Sequence, residues 1–227
     1  MGRDKNKSIL ALIPARMGSQ RLARKNLREL GGVPLIARAI QKCRDCAAFD
    51  EVWVNSENSQ FGEIATSEGV HFHQRPEALG GNSATSEQYI AEFLDVHPCE
   101  WVVQVHSIAP LLTTPEIRAF VEYVQKSTAD VVLSYEPVQI ECAYLGKPVN
   151  FTFAEKTNSQ ELQPIQRISW SITAWRRSSF LSAVTRGECA TYSGKVDYYP
   201  VSPLASHVIK TEQDLKIAEA LLPLVED

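Results

Sequence analysis

Neither of the two commonest glycine-rich phosphate cradles occurs in this sequence: G-x-x-x-x-G-K-[ST] is absent, and so is G-x-G-x-x-G. Long apolar runs are missing as well. Met1 to Lys7 is polar and basic, and the apolar stretch from Ile9 to Ile13 is too short for a signal-peptide core or a membrane span. The expectation is a cytoplasmic protein with no membrane partner. Positive charge is not in excess: the formal net charge is -4, with no basic stripe, which argues against nucleic acid or an anionic membrane surface as a partner. Any anion site must therefore be local. The five cysteines are odd in number and lack a framework spacing, which argues against a secreted disulfide scaffold. Cys43 and Cys46 form a C-x-x-C without a second ligand pair, and read as ordinary buried thiols inside a helix rather than a zinc or redox site. Repeats and low-complexity tracts are also lacking.

The 227 residues, 44% of them hydrophobic, suffice to bury a full core, and the length suits one α/β domain over residues 1–227. Short apolar runs alternate with amphipathic stretches, the pattern of βαβ units and a mostly parallel sheet. Strands are expected at Ser8 to Ile13, Glu51 to Asn55, Val70 to Gln74, Trp101 to His106, Asp130 to Tyr135, Ile168 to Trp175 and Lys195 to Pro200. Helices are expected at Pro34 to Ala47, Gln60 to Gly69, Ser86 to Val96, Thr113 to Lys126, Ser178 to Thr185 and Thr211 to Leu222. Thr85, Ser86, Thr113 and Thr211 are hydroxyl caps, and Glu116, Glu212 and Asp214 are first-turn acids. Residues 136–166 are less periodic and punctuated by Pro137, Gly146, Pro148 and Pro164, which suggests a lid or a dimerisation arm.

Ligands of open α/β sheets gather where strands end and loops leave for helices. The first such loop, Pro14 to Leu30, collects Arg16, Gly18, Ser19, Arg21, Arg24 and Lys25 just after a strand. Glycine permits close backbone approach to an anion, serine offers a hydroxyl, and fixed cations neutralise phosphate charge. On composition alone a solvated basic loop is an equal reading. The wording of the loop is more specific. Pro14-Ala15-Arg16, Gly18-Ser19 and Lys25-Asn26, followed by Gly32 to Ile36, resemble the signature loop and G-x-P-L-I segment of the CMP-sialic acid synthetase family. Further similar segments are Val54 to Glu57, Arg75 to Leu79, Asn82 to Ser86, Gln163 to Arg177 and Thr211 to Leu215, so the resemblance covers most of the chain.

The resemblance implies a three-layer α/β/α sandwich of the nucleotide-diphospho-sugar transferase type, usually a homodimer. It implies transfer of CMP from CTP to an acidic 2-keto-3-deoxy sugar, sialic acid-like or Kdo-like, with release of pyrophosphate. By position, Arg16 and Lys25 would hold the triphosphate, and Ala15, Gly18, Ser19, Arg21, Asn26, Arg75 and Ser86 would complete the nucleotide site. His106, Ser107, Ser169 and Trp170 fall where the sugar would lie.

The family also implies magnesium held by acidic residues, and here this chain departs from it. Val208 and Lys210 stand in place of two aspartates, Ile108 in place of the acid used by the related Kdo enzymes, and Asn82 in place of one more. Three readings stay open at this point. A metal is recruited through other acids, such as Glu57 or Asp214, or through the triphosphate itself; Lys210 supplies positive charge catalytically in the metal's stead; or the chain is a degenerate homologue that binds nucleotide without turnover. His106 and His207 form a proton-handling pair if their strand ends converge, and are structural histidines otherwise. Trp170 reads either as a stacking platform or as core.

Overall fold

In the computed structural model, which describes residues 8–225, the apolar run after Ser8 forms strand β1 (Ile9–Pro14), buried at every residue from Ile9 to Ile13. Met1 to Lys7, read above as polar and basic, and residues 226–227 lie outside the described residues. Burial of both strand faces is what a central parallel strand requires. After β1 come a hairpin of β2 (Glu29–Leu30) and β3 (Val33–Pro34), then α1 (Leu35–Asp45), β4 (Glu51–Ser56), α2 (Ser59–Ser67) and β5 (His71–Gln74). The chain continues through α3 (Ser86–Val96), β6 (Trp101–Val105), α4 (Thr114–Lys126) and β7 (Val131–Val138) to a small hairpin of β8 (Ala143–Tyr144) and β9 (Lys147–Pro148). It closes with β10 (Ile165–Arg176), α5 (Arg177–Thr185), β11 (Val196–Pro200) and α6 (Glu212–Leu221).

Seven strands form one sheet in the order β11-β7-β10-β6-β1-β4-β5. Only β10 runs against its neighbours. Ala11 and Ile13 face one side of the sheet with Ile36, Ile40, Phe61, Ile117 and Phe120, so α1, α2 and α4 cover that face. Leu10 and Leu12 face the other with Ile90, Phe93, Phe180 and Ala183, which brings in α3 and α5. The result is the expected α/β/α sandwich. No helix among the described residues is long and apolar enough to cross a membrane. Cys43 and Cys46 are buried on the α1 side, and burial pushes both thiols up, leaving them protonated.

The helix starts follow the hydroxyl signals. Thr85, Thr113 and Thr211 each accept a backbone N–H and close reciprocal capping boxes with Gln88, Glu116 and Asp214. Each such cap is worth about 1 kcal/mol. Ser86 is the first helical residue of α3 and not its cap.

Three features depart from the sequence expectation. α1 begins at Leu35, because Pro34 belongs to the β2–β3 hairpin, whose two-residue turn is Gly31-Gly32 with φ of 57° and 75°. Two consecutive positive φ values are the geometry that favours paired glycines. The irregular excursion is narrower than 136–166: β7 runs on to Val138 and pairs with β10 from Ile165, leaving 139–164 outside the sheet. β10 also bulges between Ile168 and Thr173, where Trp170 takes a φ of 59°.

Candidate active site

β1 ends beside β4 and β6, and the chain then turns into the basic loop at the carboxyl edge of the sheet. Two buried side chains fix its course. Arg75 donates to the Ala15 carbonyl at 2.9 Å, to Asn55 Oδ1 at 2.9 Å and to Glu57 Oε2 at 3.0 Å, and its guanidinium lies 4.8 Å from the Tyr89 ring centre. Glu57 Oε1 in turn accepts the Met17 N–H at 2.9 Å. On the other side, Asn26 donates to the Arg16 carbonyl at 3.0 Å and accepts from the Ser107 hydroxyl at 2.8 Å. A small apolar cluster of Leu22, Leu30, Leu35, Leu111, Ile209, Leu215 and Ala218 packs the loop against α6.

The loop walls a cavity of about 360 Å³, inside the roughly 300–1,000 Å³ typical of small-molecule sites. Ala15, Arg16, Ser19, Arg21, Lys25, Asn26, Arg75 and His106 line it, all residues singled out from the sequence. No carboxylate lines it. Elsewhere Arg28, Arg44, Arg167, Arg176 and Arg186 each pair with an acid. Among the described residues no carboxylate pairs with Arg16, Arg21, Lys25 or Lys210. Their mutual repulsion is felt at Lys25, whose pKa is pulled down by burial first and then by Arg21, Arg16 and Lys210. Like charges crowd in this way where an anion is to be received.

His106 sits at the cavity wall with Nε2 2.6 Å from Gln104 Nε2, and Gln104 also reaches the Tyr89 hydroxyl at 3.2 Å. With the amide as donor, the imidazole proton lies on Nδ1. Burial and then the Lys25 ammonium draw the His106 pKa down to about 4, so the ring is neutral at physiological pH.

Of the other residues marked from the sequence, Ile108 and Asn82 also line the cavity, Asn82 accepting from Arg16 Nη1 at 3.2 Å, and the rest fall outside it. Gly18 and Ser86 are exposed at its margin. Ser107 is buried and spent on Asn26. Ser169 bonds the hydroxyls of Ser134 and Ser171, both at 2.8 Å, inside the β10 bulge. Trp170 packs edge-on to Tyr192, with ring centres 6.1 Å apart. Lys210 is exposed on the approach to α6, next to Ile209, whose N–H bonds the carbonyl of cavity residue Ile108 at 2.8 Å. The His106–His207 pair does not form: His207 Nε2 donates to the Asp214 carbonyl at 2.8 Å instead.

Sequence reasoning missed the Arg75–Glu57 brace, Asn55, Gln104 and Tyr89. The sequence resemblance implies only ligand contact for Arg75. Its Nε remains the one guanidinium nitrogen without a hydrogen-bond partner. The two acids considered for a metal are both committed within the fold. Glu57 is held by Arg75 and Met17, and Asp214 Oδ2 accepts from the Lys210 N–H, the Thr211 N–H and the Thr211 hydroxyl at 2.8–2.9 Å. These bonds hold the Asp214 carboxyl below its usual range against the opposing effect of burial.

A family model described as "Cytidylyltransferase" matches residues 10–220. The chain is 29% identical over 225 residues to N-acylneuraminate cytidylyltransferase A of Danio rerio, covering 96% of this chain and 51% of that protein. It is 29% identical over 178 residues to CMP-N,N'-diacetyllegionaminic acid synthase of Legionella pneumophila, covering 72% and 76%. The chain spans about half the length of the first curated relatives it matches. Among solved structures it is similar to a CMP:2-keto-3-deoxy-manno-octonic acid synthetase complexed with CTP, with a TM-score of 0.71 at 14% identity, covering 96% of this chain and 99% of that one. At that identity the likeness bears on the fold alone.

Proposed function

Because the chain belongs to the cytidylyltransferase family, we propose that it transfers CMP from CTP to the anomeric hydroxyl of an acidic 2-keto-3-deoxy sugar. The observation that carries this reading is the cavity at the carboxyl edge of the sheet lined by Arg16, Arg21 and Lys25, none of which pairs with a carboxylate among the described residues. In the step, the sugar hydroxyl oxygen bonds the α-phosphorus, the α–β bridging P–O bond breaks, pyrophosphate leaves with the electron pair, and the hydroxyl proton passes to solvent. Arg16, Arg21 and Lys25 hold the triphosphate and stabilise charge as it gathers on the pyrophosphate. Arg75 and Asn26 position the loop rather than carry charge in the reaction, because their polar groups are already engaged with it. Tyr89 and neutral His106, which line the cavity, offer hydrogen-bonding groups to the acceptor, and buried Gln104 holds both from behind.

The residues present do not fit a carboxylate-held magnesium ion. Hard divalent cations take oxygen ligands, usually one or two carboxylates, and this cavity offers cations in their place. Among the described residues no cluster of three or more potential metal ligands occurs.

A pyrophosphate-release assay with CTP and a panel of 2-keto-3-deoxy sugar acids, run with and without magnesium or manganese, tests the reading. Turnover with at least one acid is expected. CTP binding with no turnover in any combination favours instead a nucleotide-binding homologue without catalysis, the reading that Val208, Lys210 and Ile108 support.

The 139–164 excursion exposes Ile140, Tyr144, Leu145, Val149 and Phe153, with Leu145 84% and Phe153 79% exposed. Several large apolar side chains exposed on one excursion suit an association surface, and we assign it to a second copy of the chain. Sedimentation velocity is expected to give a dimer that Leu145→Asp with Phe153→Asp converts to monomer; a monomeric parent protein contradicts the assignment. The five thiols, none of them in a disulfide, suit a reducing compartment such as the cytoplasm.

A further inference from the structure

Lys210 is brought to the basic loop by the architecture of the C-terminal segment. Ile209 is buried in the cluster that joins Leu22 and Leu30 to α6, and its N–H is tied to the Ile108 carbonyl in the cavity wall. Arg28 and Glu212 clamp the start of α6 to the loop through two bonds of 2.8 and 2.7 Å. Asp214 fixes the Lys210 backbone by accepting its N–H at 2.9 Å. The Lys210 ammonium itself bonds no described residue, although the carboxylates of Glu212 and Asp214 lie on the same turn. It stays near enough to Lys25 to lower the pKa of that group, after burial, Arg21 and Arg16, with Asp214 acting in the opposite sense.

A triphosphate entering this cavity therefore meets Arg16, Arg21 and Lys25 in the lining, with Lys210 just outside it beside the Ile209–Ile108 bond, and among the described residues none of the four pairs with a carboxylate. A magnesium ion carried in with the triphosphate would enter the same group of cations, with no carboxylate in the lining to receive it. Each magnesium also removes two negative charges from the ligand that these side chains attract.

We infer that this site takes the nucleoside triphosphate in its metal-free form, with Lys210, Arg16, Arg21 and Lys25 neutralising the charge that a divalent cation would otherwise cover. The inference rests on the reading of the cavity as a CTP site and concerns the ionic form of the ligand, which is independent of whether turnover follows. Lys210 is then a binding residue whose charge has the sign opposite to that of a metal ligand.

Isothermal titration with CTP in EDTA, and again with magnesium in excess over CTP, tests this directly. The parent protein is expected to bind more weakly in magnesium, on the order of tenfold. Lys210→Asp is expected to bind on the order of tenfold more weakly in EDTA and to recover affinity when magnesium is added, a reversal of the metal's sign. Lys210→Met, which keeps the aliphatic stem, should lose affinity in EDTA without that recovery. Equal or tighter binding of CTP by the parent protein in magnesium overturns the inference and leaves the transferase reading intact. Failure to bind CTP in either buffer overturns both.

Discussion

Arg75→Met is expected to cost about 3–5 kcal/mol of folding stability and to abolish measurable CTP binding. Methionine keeps an apolar side chain of similar reach but loses the guanidinium over Tyr89 and strands the groups it serves. The Glu57 carboxylate, whose side chain is 13% exposed, loses the one counter-charge it has among the described residues, and the Ala15 carbonyl and Asn55 Oδ1 lose their donors. Removing one partner leaves an uncompensated charge, which is far costlier than losing an exposed ion pair. The effect reaches the ligand because Glu57 and Arg75 together hold Ala15 and Met17, the first turn of the loop. Denaturant midpoints and CTP titration on the purified variant measure both. A midpoint shift below about 1 kcal/mol would show the brace to be dispensable. Glu57→Gln should be milder, since it keeps an acceptor for the Met17 N–H.

Lys25→Met should separate stability from binding in the opposite direction. In the free protein this ammonium is disfavoured by burial and by Arg21, Arg16 and Lys210, so neutralising it leaves the fold as stable as before or slightly more so. CTP affinity should fall by roughly 10²–10³, the loss of a fixed charge aimed at phosphate in a partly desolvated site. A residue that costs the free fold and serves the ligand behaves in this way. Thermal unfolding and calorimetric titration give the two numbers, and a destabilised variant with unchanged affinity contradicts the assignment. The lowered pKa adds a further sign. Bound triphosphate favours the charged ammonium and raises its pKa, so binding takes up protons at alkaline pH, and affinity should weaken as pH rises through the depressed free-state value toward the ordinary lysine range.

Much of the sheet was legible because its signals are local. Apolar runs bounded by turns mark β1, β4 and β6, and the three threonines that close capping boxes sit where hydroxyl–x–x–acid or amide spacing places them. The cationic loop was legible for the same reason, since its residues are close in sequence. What was not legible depends on partners far apart in the chain. Arg75 reaches Ala15 across 60 residues, Ser107 reaches Asn26 across 81, and the roles of Glu57 and Asp214 become clear only once their hydrogen bonds are known. The bulge at Trp170 lacks any compositional cue, because tryptophan seldom takes a positive φ and tertiary packing imposes it there. The Gly31-Gly32 turn had a cue, and the helical pattern after Pro34 obscured it.

The place of β10 in the sheet bears on how the chain reaches its native state. β6 and β7 follow one another in sequence with only α4 between them, yet they never pair; β10, arriving after the long excursion, fills the gap and bonds to both. Until Ile165 to Arg176 has emerged from the ribosome, β6 lacks one of its partners and β7 lacks both, since β11 follows later still. Unpaired strand edges are templates for wrong pairing, so the interval between synthesis of β7 and docking of β10 is when a nascent chain of this topology depends most on chaperones.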